Sequence, residues 1–247
     1  CVSSDTDARV IGSPPLYVVT GASSDIGQAI VRKLALSGRA TLALGRDHAA
    51  LSALEAEFPQ RVQVRCLELT DDAAVIALAR ELESEARPLA GVIHCAGLHL
   101  SGPLAATDVS DMDLMYRVMV HAAYLLTQQL LPGLERASGH VLFINSTAAL
   151  AARANLSGYG VSRAGLRALA DAVRDEVHER GVRVTSIYLG RTATRLIARI
   201  FRAEGRPYKP EQLLQPGDVA DTVLFVLGLP ATAEVVDIRL VAAIKSY

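Results

Sequence analysis

Short apolar runs along this chain alternate with longer segments in which apolar residues recur every three or four positions. The runs predict strands over 16–20, 40–44, 62–67, 91–94, 141–145, 182–188 and 235–240. The amphipathic segments predict helices over 26–37, 47–57, 71–85, 111–131, 157–180 and 217–227, and Thr70 is the expected cap of the third. Strands that alternate with helices of this length imply parallel crossover connections. The pattern therefore predicts an α/β fold, a doubly wound parallel sheet of about seven strands flanked by helices.

The same pattern predicts one domain over 15–247, because no repeat or long linker interrupts it. A polar segment over 1–14 has neither the basic start nor the apolar core of a signal peptide, and we expect a loose N-terminal tail. An arginine-rich stretch over 191–214 separates the sixth strand from the next helix. No apolar run approaches the roughly 20 residues of a membrane span.

Composition narrows the class of protein. A net charge of -1 argues against nucleic acid or a membrane surface as the partner. Cys1, Cys66 and Cys95 have neither disulfide nor metal-site spacing, and the last two fall in strands predicted to be buried. The histidines add no metal-ligand spacing, so no metal site is predicted. A reduced, cytoplasmic protein is the plain interpretation.

The turn between the first strand and the first helix reads Thr20-Gly-Ala-Ser-Ser-Asp-Ile-Gly27. Glycines at such a turn let the backbone approach a pyrophosphate, and the helix N-terminus presents amide hydrogens to it. An ordinary tight turn is the alternative interpretation. We expect Asp25 to cap the helix, which aspartate does well.

Gly45-Arg46 ends the second strand. In dinucleotide-binding folds an acidic residue at this place binds the ribose 2′-hydroxyl, whereas an arginine accommodates a 2′-phosphate. The sequence therefore favours NADP(H) and leaves NAD(H) possible. A solvated arginine at the start of a loop is the alternative.

Ser146 follows the fifth strand, and Tyr159 stands thirteen residues later, four positions before Arg163. The last two side chains would share one face of a helix. Together with the glycine turn and the strand order, this set resembles the short-chain dehydrogenase/reductase family over 16–240. Two further segments carry the resemblance: Ile93-His-Cys-Ala-Gly97 is similar to the family's N-N-A-G, and Tyr188 to Thr194 is similar to its P-G-x-x-x-T.

The resemblance implies a Rossmann-type fold and gives roles to these residues. Ser146 would hydrogen-bond the substrate oxygen, Tyr159 would be the acid/base, and Arg163, at the family's lysine position, would hold the nicotinamide ribose and stabilise the phenolate. The stretch over 191–214 would be the substrate lid, whose arginines either meet an anionic substrate or form a solvated face. The implied cofactor-binding residues are Gly21, Ser23, Ser24, Ile26, Gly27, Arg46, Leu69, Ala96, Gly97, Tyr159, Arg163, Gly190, Thr192 and Thr194.

Two departures from the family pattern concern proton supply. The family's lysine relays a proton, which the Arg163 guanidinium does not give up. Met119 stands where the family has an asparagine that holds a relay water, and a thioether anchors water poorly. We therefore expect proton resupply to Tyr159 to be impaired, or rerouted through bulk water or an unidentified group. His94 is expected to be a structural histidine and His99 a surface loop residue, although His99 could face the substrate.

The sequence as a whole predicts an NADP(H)-dependent oxidoreductase that moves hydride between nicotinamide and a small carbonyl or alcohol substrate. One alternative is a cofactor-binding homologue with weak or lost turnover that acts as a regulatory or interaction protein. Another is a non-redox enzyme on the same scaffold. By the resemblance, we expect a homodimer or homotetramer that pairs through the helices predicted over 111–131 and 157–180.

Overall fold

The computed structural model describes residues 14–85, 87–151 and 153–244. Cys1 and the tail predicted over 1–14, apart from Pro14, lie outside these residues. In the described chain a seven-stranded parallel sheet runs in the order β3-β2-β1-β4-β5-β6-β7. The strands are β1 (Leu16–Thr20), β2 (Ala40–Gly45), β3 (Val62–Cys66), β4 (Leu89–His94), β5 (His140–Ser146), β6 (Arg183–Leu189) and β7 (Asp237–Leu240). The predicted doubly wound sheet is confirmed.

Helices cover both faces of this sheet. They are α1 (Asp25–Leu36), α2 (His48–Glu57), α3 (Asp72–Ser84), α4 (Val109–Tyr116), α5 (Ala122–Arg136), α6 (Ser157–Val177), α7 (Arg195–Ala203) and α8 (Pro216–Leu227). One apolar core packs α3, α5 and α6 on one face, and a second packs α1, α2 and α8 on the other. Central strands such as β2 are buried along their whole length, which is why they read as continuous apolar runs.

The strand order reverses beside β1, because β2 and β4 lie on opposite sides of it. A doubly wound sheet opens a ligand crevice at the carboxyl ends of its strands at such a point. Here the Thr20 hydroxyl accepts hydrogen bonds from the backbone N–H groups of Cys95 (3.1 Å) and Ala96 (3.2 Å), which ties the ends of β1 and β4 together.

The helix predicted over 111–131 is interrupted. A π turn, Arg117–His121, separates α4 from α5. Its first and last side chains both bind Asp72 on α3, from Arg117 Nη2 at 3.0 Å and from His121 Nε2 at 3.0 Å. These contacts hold in place the wider turn, which hydrophobic periodicity does not reveal.

Two smaller predictions were wrong, and one helix was not predicted. The cap of α3 is Asp71, whose carboxylate accepts from the Ala74 N–H at 3.0 Å, while the Thr70 hydroxyl donates to Glu68 instead. Cys66 is exposed rather than buried, because β3 is an edge strand. The stretch over 191–214, for which no helix was predicted, contains α7. No helix in the described ranges has the length and apolar content to cross a membrane.

Candidate active site

The glycine-rich turn packs tightly against the end of β4. Gly21 has φ of +64°, and a Cβ added to it would lie 2.7 Å from the Ala96 Cα. A Cβ on Gly27 would lie 2.2 Å from the carbonyl oxygen of Gly21. Side chains are therefore excluded at both positions, which lets the backbone of the turn approach a ligand closely, as the predicted pyrophosphate site would need.

Asp25 does not cap α1, contrary to the sequence-based expectation. The cap is Ser24, whose hydroxyl accepts from the Gly27 N–H at 3.0 Å. The Asp25 carboxylate instead accepts from the backbone N–H and from Nε of Arg195, both at 2.7 Å. Arg195 also donates to the Ser23 carbonyl at 3.3 Å. The first residue of α7 therefore neutralises the carboxylate beside the turn and joins the lid segment to it.

Arg46 lies at the carboxyl end of β2, with its side chain 72% exposed and its Nη1 3.5 Å from Glu68 Oε2. Burial acts to raise the pKa of Glu68, but hydrogen bonds from Thr70 and the charge of Arg46 outweigh it and hold that pKa below its usual range. Glu68 is thus an anion at neutral pH, and any anionic ligand group would share Arg46 with it. The sequence did not reveal this partner.

The three catalytic candidates lie around the carboxyl end of β5. Ser146 ends that strand, and its hydroxyl accepts from the Ala148 N–H at 3.1 Å. The short 3₁₀ turn that follows, Thr147–Ala149, packs on α6, which carries Tyr159 and Arg163. The Arg163 Cζ lies over the Tyr159 ring, 5.2 Å from its centroid.

Arg163 is buried, with 9% of its surface exposed. Its Nη1 donates to the Ile144 carbonyl at 3.0 Å, and its Nη2 would lie 2.8 Å from a Cβ on Gly97. Its Nε has no hydrogen-bond partner, and no carboxylate among the described residues forms an ion pair with it. A buried cation left this incomplete suits a ligand that brings hydroxyl or anionic oxygens.

Met119 lies in the π turn and is 2% exposed. It lines a small cavity with Thr20, His94 and Ala96, behind the ends of β1 and β4. The cavity wall therefore carries a thioether where the family pattern has an amide.

His94 is a structural residue, as predicted. Its Nε2 hydrogen-bonds the Thr127 hydroxyl at 2.8 Å, and its ring stacks on Phe143. Burial lowers the pKa of His94 to about 3, so the ring stays neutral at physiological pH.

His99 departs from the expectation of a surface loop residue. It is half-buried, and its ring centroid lies 4.7 Å from that of Tyr159, with the two planes tilted by 56°. The loop after β4 has no periodic pattern, so nothing in the sequence placed its side chains relative to α6. In the sequence, the only indication that His99 could face the substrate is its place two positions after Gly97.

The lid segment folds back on itself. The Thr194 hydroxyl caps α7 by accepting from the Ile197 N–H at 3.2 Å. Phe201 is buried with the guanidinium groups of Arg191 and Arg206 over its ring, at 4.9 and 4.8 Å from the centroid, and both arginines reach Glu204. Three of the five lid arginines are thus engaged with the protein, and the expected solvated face is reduced to Arg199 and Arg202, which are exposed.

The remaining candidates line the same crevice or flank it. Thr192 is buried and pairs with Leu214 in an isolated bridge, and Gly190 donates its N–H to the Leu240 carbonyl at 2.8 Å. The Leu69 side chain is buried in the core, and Ile26 is half-buried against α1's own core. The contribution of these four residues to nucleotide binding remains a prediction.

Known proteins share both the sequence pattern and the fold. A sequence model described as short chain dehydrogenase matches residues 16–205. The NADP-dependent 3-hydroxy acid dehydrogenase YdfG of Salmonella typhi is 28% identical over 239 residues, covering 94% of this chain and 96% of its own. An uncharacterized short-chain type dehydrogenase/reductase y4eK of Sinorhizobium fredii is 31% identical over 232 residues, covering 88% of this chain and 87% of its own.

Among solved structures, the closed form of serine dehydrogenase complexed with NADP+ is 28% identical, covers 94% of this chain and 96% of its own, and superposes with a TM-score of 0.86. The family match extends from β1 through the lid helix and includes the glycine turn, Ser146, Tyr159 and Arg163. The chain therefore belongs to the short-chain dehydrogenase family.

Proposed function

We propose that this protein is an NADP(H)-dependent oxidoreductase that interconverts a carbonyl and an alcohol. The observation that carries the proposal is the position of Tyr159, a half-buried phenol with the Arg163 guanidinium over its ring. That guanidinium also lies against Gly97, just after β4, the strand whose end packs on the glycine turn. Because two relatives are named for 3-hydroxy acid and serine chemistry, 3-hydroxy acids are the first substrate class to test.

Each part of the nucleotide has residues that suit it. The turn from Gly21 to Gly27 would take the pyrophosphate, Arg46 the 2′-phosphate, and Arg163 the nicotinamide ribose. The unpaired Nε of Arg163 supports the last assignment. The bound nicotinamide supplies or accepts the hydride.

The chain's own residues handle the substrate oxygen and its proton. The Ser146 hydroxyl orients that oxygen, and Tyr159 donates a proton to it in reduction or removes one in oxidation. Arg163 keeps its positive charge throughout and stabilises the phenolate. The lid segment over 191–214, tied to the turn by Asp25 and Arg195, would exclude water from the reacting atoms.

A second candidate function is nucleotide binding with little or no turnover. The burial of Met119 favours it, since a thioether at that position anchors the usual relay water poorly. The presence of Ser146 and Tyr159 at the strand ends argues for turnover.

Titration of NADPH and NADH, followed by assays with 3-hydroxy acids and a carbonyl panel at the nicotinamide absorbance, tests both candidates. Arg46→Ala should weaken NADPH binding about 10-fold and leave NADH binding unchanged, because one charge-assisted contact is lost. Arg180→Ala, which removes another exposed arginine paired with a glutamate, is the matched control. Failure of both nucleotides to bind at millimolar concentration contradicts the oxidoreductase assignment. Binding without turnover favours the second candidate.

The expected assembly is a homodimer or homotetramer. Apolar side chains are exposed along α4, α5 and α6, where the family pattern places its pairing helices, and they include Val109, Leu114, Tyr124 and Val161. Light scattering on Leu114→Glu, compared with the exposed Leu36→Glu on α1, tests this surface. A monomeric wild-type protein contradicts it.

A further inference from the structure

The contact between His99 and Tyr159 is not required by the fold. His99 comes from the loop after β4, whereas Tyr159 comes from the start of α6, and the two rings lie with centroids 4.7 Å apart. Among the described residues, no side chain forms a hydrogen bond with the His99 imidazole, whose contact with Tyr159 is one between the two rings. The site therefore contains a titratable ring, that of His99, which has no role in the reaction proposed above.

Turnover requires a group that exchanges protons with Tyr159, and a histidine ring can do this. Each reduction takes a proton from Tyr159, and each oxidation adds one, so the phenol must exchange protons with solvent once per cycle. The two positions that provide this exchange in the family pattern hold Met119, buried and apolar, and Arg163, a permanent cation. Neither can carry a proton to or from the phenol.

We propose that His99 is the residue that exchanges protons between Tyr159 and solvent, an assignment that rests on the proposed oxidoreductase function. In reduction, the carbonyl carbon gains the hydride and its oxygen gains the Tyr159 proton. One ring nitrogen of His99 then gives its proton to the phenolate, directly or through one water, while the other takes a proton from solvent. In oxidation each proton moves the opposite way, and no further reactant is needed.

The charges around His99 suit a ring that is neutral at rest and holds an extra proton only during transfer. Burial lowers the pKa of His99, and the positive charge of Arg163 lowers it further, whereas a hydrogen bond to the residue's own carbonyl and the charge of Glu204 act in the raising direction. Tyr159 and Arg163 face it from α6, and Glu204 from the end of α7. A neutral imidazole has one N–H donor and one acceptor nitrogen, which is what transfer through the ring requires.

The test compares His99→Phe, which keeps a flat ring against Tyr159, with His99→Ala, which leaves space for free imidazole. The assay follows NADP+ reduction by 3-hydroxybutyrate and by serine at low buffer concentration, across pH 6 to 9. We expect both variants to lose about 10-fold or more in kcat with unchanged NADPH affinity. Added imidazole should restore the Ala variant with saturation, and should leave the Phe variant and the wild type unchanged. His178→Ala, which removes an exposed histidine at the far end of α6, controls for general imidazole effects.

Three outcomes overturn the assignment. The first is wild-type kcat and an unchanged pH profile in both His99 variants. The second is a slow Ala variant that imidazole does not restore, which would limit His99 to packing. The third is a wild-type protein that binds NADPH and turns over none of the probes. This last result removes the proposed function as well, whereas the first two leave it standing.

Discussion

The nucleotide turn and the candidate catalytic centre each contain unusual residues, an acid beside a predicted anion site in the one and Arg163 with Met119 in the other, and the structure accommodates them differently. At the turn, the negative charge of Asp25 is neutralised by an ion pair with Arg195, 170 positions later in the chain. At the candidate catalytic centre, the Arg163 guanidinium donates to a backbone carbonyl but leaves its Nε unpaired, and the Met119 thioether lines a small cavity. Where a new ion pair neutralises the unusual residue, as at the turn, the change joins two segments of the chain. Where no such contact forms, as at the candidate catalytic centre, we expect the change to affect the reaction itself.

The two regions should therefore respond to mutation on different scales. The Asp25–Arg195 pair is partly exposed, with 26% and 66% of the respective side chains accessible, and solvent screens such pairs strongly. The candidate catalytic residues lie in a partly buried site, and there the loss of a proton-transfer group would slow the proposed reaction by orders of magnitude.

The largest effect is expected from Tyr159→Phe. Because the variant keeps the ring against Arg163 and His99 and loses only the hydroxyl, kcat should fall about 1,000-fold while NADPH affinity stays within about two-fold. Steady-state assays and fluorescence titration measure the two quantities. Tyr17→Phe on β1, which removes the hydroxyl from another ring with an arginine beside it, should match the wild type. A Tyr159→Phe enzyme with near-normal kcat would remove the acid/base role.

Gly21→Ala is expected to have the next largest effect. The new Cβ would collide with Ala96, so the turn must move and NADPH affinity should fall about 100-fold. Gly38→Ala is the matched control, since Gly38 also has positive φ, +81°, but has no atom near its Cβ position. It should cost about 1 kcal/mol of stability and leave NADPH binding intact. Equal losses in both variants would show that backbone strain, rather than the close approach to β4, decides binding.

The double change Arg163→Lys with Met119→Asn tests the altered proton supply. It places the family's residue types at both positions, so the pH dependence of kcat should change, and His99→Phe should cost several-fold less in this background than in the wild type. Thermal unfolding accompanies the assays, because a buried amide that finds no partner costs about 1–3 kcal/mol. An active double variant whose pH–rate profile matches the wild type contradicts the relay argument.

The smallest effect is expected from Asp25→Asn. Breaking a partly exposed ion pair should change NADPH affinity and KM by no more than a few-fold, and the change should shrink as salt is added. A double-mutant cycle with Arg195→Gln isolates the coupling between turn and lid. Asp221→Asn is the control for surface charge. It breaks a different exposed ion pair, between Asp221 on α8 and Lys33, which lies on α1 as Asp25 does. A 100-fold effect of Asp25→Asn would place this residue on the same scale as the catalytic centre.

Much of this architecture could be predicted because its determinants are local. The strands follow from apolar runs, with boundaries displaced by one or two residues at most places. The turn, Ser146, Tyr159 and Arg163 follow from fixed spacings within or next to single elements. The structure has the turn after β1, Ser146 at the end of β5, and the other two residues on α6. The π turn was missed because its cause, the binding of Arg117 and His121 to Asp72, joins two helices distant in sequence.

The sequence by itself determined the fold, the family and the positions of the turn and of Tyr159, since periodicity and spacing act within a few residues of each other. Only the tertiary structure decided which groups meet from different elements: Arg195 with Asp25, Glu68 with Arg46, and His99 with Tyr159. Those meetings depend on how loops cross the carboxyl edge of the sheet, and loop paths are set by packing and hydrogen bonding over long separations rather than by any repeating pattern in the chain.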